Sequence, residues 1–138
     1  MLLDLNVQPS LIAGSLSTII LQRLVPKICD HCKVEMNPSD ISLRHFEHHK
    51  MDTPASLFKG TGCSKCRFTG RLGMHPIFEI VHMNTELSKF VETGFSLTGF
   101  KDIWMQSGGI DLIQYGLEDV RSGYINHEYI LNLDSNFL

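Results

Sequence analysis

The chain lacks an uninterrupted apolar run long enough to cross a bilayer. Its longest apolar stretch, Leu11 to Leu21, is broken by Gly14, Ser15, Ser17 and Thr18 and is followed by Gln22-Arg23, whereas a span needs about 20 apolar residues. No basic start precedes that stretch and no small-residue cleavage site follows it, so the signature of a secretory leader is missing too. Both absences lead us to expect a cytoplasmic chain without a membrane span. There is no G-x-x-x-x-G-K-[ST] loop to cradle phosphates and no G-x-G-x-x-G turn for a dinucleotide. No Ser/His/Asp or Cys/His arrangement stands in a recognisable catalytic context. Internal repeats and low-complexity runs are absent as well. No catalytic and no cofactor-binding residue is therefore expected.

What is present fits one folded protein. The 138 residues are 43% hydrophobic and 20% charged, in the range of globular domains rather than disordered ones. The net charge of −3 hides an asymmetry. Residues 1–71 hold nine Lys/Arg against six Asp/Glu, while residues 72–138 hold three against nine, which suggests segments with different surroundings.

Cysteine is scarce and concentrated. All four cysteines lie in two Cys-x-x-Cys pairs, Cys29/Cys32 and Cys63/Cys66, with thirty residues between the pairs. In a reducing cytosol such pairs point to metal binding or catalysis rather than a disulfide. Two tight turns, each offering two thiolates, complete a tetrahedron around one zinc ion and leave no open position, so the site is expected to be structural. Four thiolates suit iron as well as zinc. Lys27, Lys33, Lys65, Arg67 and Arg71 are placed to offset the negative charge of such a centre. A thioredoxin-like redox pair is disfavoured, because that motif needs a strand-to-helix context and the first pair is instead expected to follow a helix and a proline. A zinc-dependent nucleic-acid binder is the rival reading, but the basic residues are spaced singly and the chain is acidic overall. The histidines (His31, His45, His48, His49, His75, His82 and His127) have ligand chemistry. With four cysteines completing a tetrahedron, however, His48-His49 reads as part of an exposed polar loop, and His75 and His82 as surface or half-buried groups flanking a strand.

The expected fold class is α+β and mostly helical. Pro9 opens a helix whose apolar positions Leu11, Ile12, Leu16, Ile19, Ile20 and Leu24 keep helical spacing until Pro26. Residues 37–56 read as a loop holding a short helix capped by Ser39 or Asp40, with Ile41, Leu43 and Phe46 toward a core. Met74 to Met83 reads as a strand in which Pro76 implies an edge position or a start. A bundle of short helices follows: Thr85 to about Gly94, Thr98 to Gln106, Asp111 to Arg121, and His127 to Leu133 capped by Asn126.

These stretches together resemble one family. LLDLNVQPSLIAGSLSTIILQRLVPKICDHCK is similar to the approach to the cysteine module in type II secretion and type IV pilus assembly ATPases. Leu2, Leu3, Asp4, Leu5, Val7, Pro9, Leu11, Ala13, Leu16, Gln22, Arg23, Leu24, Cys29 and Cys32 carry that match. In GCSKCRFTGRLGMHPIFEI the match rests on Gly62, Cys63, Cys66, Thr69, Gly70 and Glu79, and in IDLIQYGLEDVRSGYINHEYIL on Asp111, Leu112, Gly116, Leu117, Val120, Gly123 and Asn126. Tyr129 stands where the family often has glutamate and Asn6 where it has glycine.

The resemblance implies the C-terminal part of a hexameric cytoplasmic ATPase with a RecA-like core. That part would be either an excised piece or a truncated product starting at an internal methionine. Residues 1–26 would be the tail of the core, 27–76 the four-cysteine module holding one structural zinc, and 77–138 the C-terminal helical segment. ATP and magnesium would belong to regions of the full-length protein upstream of this match, so the chain on its own would not be an enzyme. The implied partners are the rest of the core, neighbouring subunits and inner-membrane platform or anchor proteins, with peripheral attachment to the inner membrane and no nucleic acid.

Overall fold

The computed structural model describes residues 7–94, 96–134 and 137. The family matches at Leu2, Leu3, Asp4 and Leu5, and the departure at Asn6, lie outside them. The chain is α+β. In order it forms α1 (Pro9–Ser15), β1 (Thr18–Ile28), β2 (Lys33–Met36), α2 (Asp40–His48), β3 (Leu57–Gly60), a single 3-10 turn (Ser64–Cys66), β4 (Arg71–His82), α3 (Thr85–Thr93), α4 (Leu97–Gln106), α5 (Leu112–Arg121) and α6 (His127–Leu133). Among the described residues the strands form two two-stranded sheets, β1 with β4 and β2 with β3. None of the described helices is long and apolar enough to cross a membrane.

The N-terminal helix is shorter than its apolar spacing suggests. It ends at Ser15, and the expected second half, including Ile19, Ile20 and Leu24, is strand β1. Gly14 and Ser15 are weak helix formers, and Thr18-Ile19-Ile20 are β-branched residues that favour an extended backbone. Pro26 therefore sits inside a strand rather than ending a helix. Both Pro26 and Pro76 are tolerated because each strand of a two-stranded sheet has one unpaired edge. At one end of the ladder Met83 N–H donates to Ser17 O at 2.9 Å, and at the other Cys29 N–H donates to Gly70 O at 3.0 Å. The strands thus run antiparallel.

Three of the four later helices, α3, α4 and α6, start at side-chain caps. Asn84, Ser96 and Asn126 side chains accept from the first-turn N–H groups of α3, α4 and α6. Ser39 does the same for α2, accepting from Ser42 N–H. Within α2, Phe46 is fully buried, but Ile41 is exposed, contrary to the expectation that it faces the core.

The chain forms two compact units, each built from separate stretches of sequence. One holds the described residues up to Leu21 with those of Glu79–Asp111. Its core joins Ile12 and Ala13 of α1, Val81 of β4, Leu87 and Val91 of α3, and Phe100 and Trp104 of α4. The other holds Gln22–Phe78 and the described residues from Leu112 onward. Its core joins Val25, Phe46, Leu57, Ile77, Leu112, Leu117, Val120, Ile125 and Ile130. All four cysteines belong to this second unit.

In the second unit β2 pairs antiparallel with β3, Lys33 opposite Gly60 and Met36 opposite Leu57. Beside this pair the backbones of Gly60 and Gly70 touch. A Cβ on Gly60 would lie 2.0 Å from the Gly70 carbonyl oxygen, and Gly70 itself has φ +72°. Neither position has room for a side chain. Gly60→Ala is expected to cost at least about 1–3 kcal/mol by overpacking against rigid backbone. Gly14→Ala in α1, where a Cβ meets nothing within 4 Å, is expected to stabilise by about 0.5–1 kcal/mol. Urea unfolding midpoints of the two variants check the contrast.

Candidate metal centre

The two Cys-x-x-Cys segments adopt the same turn. Cys32 N–H donates to Cys29 O, and Cys66 N–H to Cys63 O, each at 3.2 Å. The second turn is the more constrained. Arg67 and Phe68 both take left-handed backbone, φ 52° and 62°, which non-glycine residues rarely adopt. Phe68 N–H returns to Cys63 O at 2.8 Å and holds them there. Thr69 Oγ1 then donates to Cys66 O at 2.6 Å and accepts from Arg71 N–H at 3.3 Å.

The turns bring the sulfurs together. Cys29 and Cys63 Sγ are 3.9 Å apart, Cys32 and Cys66 3.8 Å, and Cys63 and Cys66 3.7 Å. All four lie within 4.8 Å of one another. A disulfide has sulfurs about 2.05 Å apart, so these are four free thiols in contact. Bonds of about 2.3 Å to a central ion give a tetrahedron whose edge is about 3.8 Å. The observed separations have that size.

Backbone amides point at the sulfurs. Gly62 N–H donates to Cys32 Sγ at 3.3 Å, Cys63 N–H to Cys66 Sγ at 3.2 Å, and Gly70 N–H to Cys66 Sγ at 3.3 Å. Burial pushes the Cys66 thiol up, but the Cys63 and Gly70 amides and the neighbouring thiols outweigh it and bring it down to about 6. Burial drives Cys32 up to about 11 against the single amide of Gly62, and it raises Cys29 as well. Thiols this close cannot all ionise unless a cation sits among them. The basic side chains expected to supply compensating charge are partly engaged elsewhere. Lys27 pairs with Asp30 at 2.7 Å, Lys33 lies over the Phe58 ring at 4.5 Å, and Arg71 donates to the Tyr129 hydroxyl.

The chain matches the family described as type II/IV secretion system protein over residues 1–132. It belongs to that family. Among curated members it is 33% identical to the type IV pilus assembly ATPase PilB of Thermus thermophilus, over 93% of this chain and 14% of that protein. It is 32% identical to the type IV pilus assembly ATPase TfpB of Acinetobacter baylyi, over 94% of this chain and 22% of the relative. It is 27% identical to the type II secretion system ATPase E of Vibrio cholerae, over 94% of this chain and 25% of the relative. The chain thus spans no more than about a quarter of the length of these family members.

A second cluster escaped the sequence reading. His48-His49 is not an exposed polar loop: His48 is the last residue of α2 and is exposed, but His49 is only 13% exposed. One turn earlier, His45 is fully buried. His45 Nε2 and His49 Nε2 both lie on Asp134 Oδ2, at 3.1 and 2.6 Å. On its other side His45 Nδ1 is 2.9 Å from His127 Nε2, and His127 Nδ1 is 3.2 Å from Ser42 Oγ. Burial lowers His127 to about 4, helped by His45, and burial lowers His45 against the pull of Asp134. Both rings are neutral at neutral pH. His75 is half-buried on Asp119 at 3.0 Å and His82 is exposed, as expected. The one sequence signal for the cluster was the spacing of His45 and His49, four apart on a capped helix.

The Thr69-Gly70 pair after the second turn has a local role. Thr69 seals the turn and Gly70 aims an amide at Cys66. Thr69→Val, which keeps the shape but removes the hydroxyl, is expected to destabilise by about 0.5–1.5 kcal/mol, whereas Thr69→Ser retains most of the stability. Chemical denaturation of both variants decides this.

Proposed function

We propose that the chain is the zinc-binding and coupling part of a secretion or pilus assembly ATPase, with Cys29, Cys32, Cys63 and Cys66 holding one structural zinc ion. The observation that carries this reading is the set of sulfur separations of 3.7–3.9 Å. They suit a closed tetrahedral site with no position for substrate. The residues present fit the ion: the donor set is four thiols, and backbone amides already stabilise charge on the sulfurs. In this role the site pins the excursion between the two pairs onto the end of the β1–β4 ladder. In this reading residues 1–26 close a RecA-like core, 27–76 form the metal module and 77–138 the helical segment.

The chain on its own does not hydrolyse ATP, because its sequence carries no loop to cradle the β- and γ-phosphates. Its partners in this reading are the rest of the ATPase, neighbouring subunits of a hexamer and an inner-membrane platform, which hold it at the cytoplasmic face of that membrane. ATP and magnesium act in the parts of such ATPases that bind nucleotide.

Because structural zinc supplies folding free energy on the order of 10 kcal/mol, Cys63→Ser or Cys66→Ser is expected to remove one metal ion per chain and to unfold the unit that holds the cysteines. Elemental analysis and circular dichroism read the two effects. A Cys66→Ser chain that stays folded with its metal content unchanged would sink the proposal. Phosphate release from magnesium-ATP by the purified chain would contradict the second half of it.

A further inference from the structure

We propose that His45, His49 and Asp134 form a second metal site, separate from the cysteines, for a divalent transition ion of the zinc class. Two imidazoles and one carboxylate are a ligand set such ions take, with a fourth position left to water. The three residues converge: His45 Nε2 and His49 Nε2 both lie on Asp134 Oδ2, and a ligand atom from each residue lies within 4.8 Å of the other two. The helix supplies the two histidines from one face, since residues four apart lie one above the other. Asp134, just past the end of α6, supplies the carboxylate and is itself 2% exposed.

The spacing is close to what an ion requires. Bonds of about 2.0–2.1 Å in a tetrahedron put ligand atoms about 3.3 Å apart. The His45 to Asp134 distance is already 3.1 Å, and the His49 to Asp134 distance of 2.6 Å has to open. His49 is the ring able to do so, being the ligand at the solvent edge of the cluster.

The residues behind His45 fit a metal ligand as well. In good sites the ring nitrogen that faces away from the ion donates to a second group that fixes the ring. Here Nδ1 of His45 faces His127 Nε2, and beyond it stand Ser42 Oγ and Ser39 Oγ, the last pair 2.9 Å apart. Without an ion the carboxylate can only accept. His45 therefore carries its proton on Nε2, His127 donates from Nε2 to His45, and Ser42 donates to His127. With an ion on His45 Nε2 the proton moves to Nδ1, His127 accepts on Nε2 and donates from Nδ1 to Ser42, and Ser42 donates to Ser39. Both rings stay neutral and no proton is gained or lost. The same four side chains satisfy both states by reversing direction.

The test uses the full chain already loaded at its cysteines and titrates it with zinc chloride by calorimetry. One further equivalent is expected in the wild type. His49→Gln keeps an amide N–H for Asp134, so the fold is retained, and it should lose that equivalent. His127→Phe, which leaves His45 without its orienting partner, should weaken the second site by about 10–100-fold. Long-range proton–nitrogen spectra should show the His127 proton moving from Nε2 to Nδ1 as zinc is added. Cobalt substitution reports the cysteines separately through thiolate-to-metal absorption, which His49→Gln should leave unchanged. No second equivalent in the folded wild type, or an equivalent that survives His49→Gln, overturns the proposal.

Discussion

The register of β1 against β4 is the constraint on which the rest of the second unit depends. Each cysteine pair is inserted between two strands: Cys29–Cys32 between β1 and β2, and Cys63–Cys66 between β3 and β4. The outer strands pair with each other and so do the inner ones. Every flank of one turn is therefore hydrogen-bonded to a flank of the other. Cys29 N–H to Gly70 O on the outer side and Lys33 opposite Gly60 on the inner side leave the two turns facing each other. A one-residue slip of either ladder would turn the side chains to the opposite face and separate the sulfurs. A further bridge, Lys27 to Ile125, with Ile28 N–H on Tyr124 O at 2.9 Å, ties the same strand end to the segment between α5 and α6.

The second organising contact is polar and, apart from exposed Ser39 at its end, buried. A line of side chains from Ser39 through Ser42, His127 and His45 to Asp134 joins the first turn of α2 to both ends of α6. Burying this many polar atoms is tolerable only because each has a partner, and a break at any link leaves an orphan at a cost of about 1–3 kcal/mol. The apolar residues next to it, Phe46 and Ile130, are fully buried. Apolar burial supplies the driving force there, and the polar line restricts which arrangement of α2 and α6 is allowed.

The sequence revealed the cysteine centre more fully than the fold around it. Cysteines confined to two spaced pairs announce a shared site, and Asn84 and Asn126 mark helix starts by a local hydrogen bond that needs no tertiary information. Strand β1 was hidden because only Val25 and Ile28 along it are buried. A strand with no continuously buried face shows no alternation, and its apolar residues can be mistaken for a helical stripe. Strands β2 and β3 have four residues each, too few to show a period. The histidine cluster was hidden for a different reason. His45 and His49 lie near one another in the chain, but Asp134 is 89 positions beyond His45, and only the folded core of α2 against α6 makes them neighbours.

The contact between Gly60 and Gly70 bears on how such a chain can change over time. A crowded side chain can be accommodated by trimming the one it strikes. Here each residue meets the other's main chain, and there is nothing to trim. No second substitution restores the fit once either glycine is lost, so the two positions can drift neither singly nor as a compensating pair. The tolerance of this four-cysteine module to mutation is thus limited by two residues that carry no side chain.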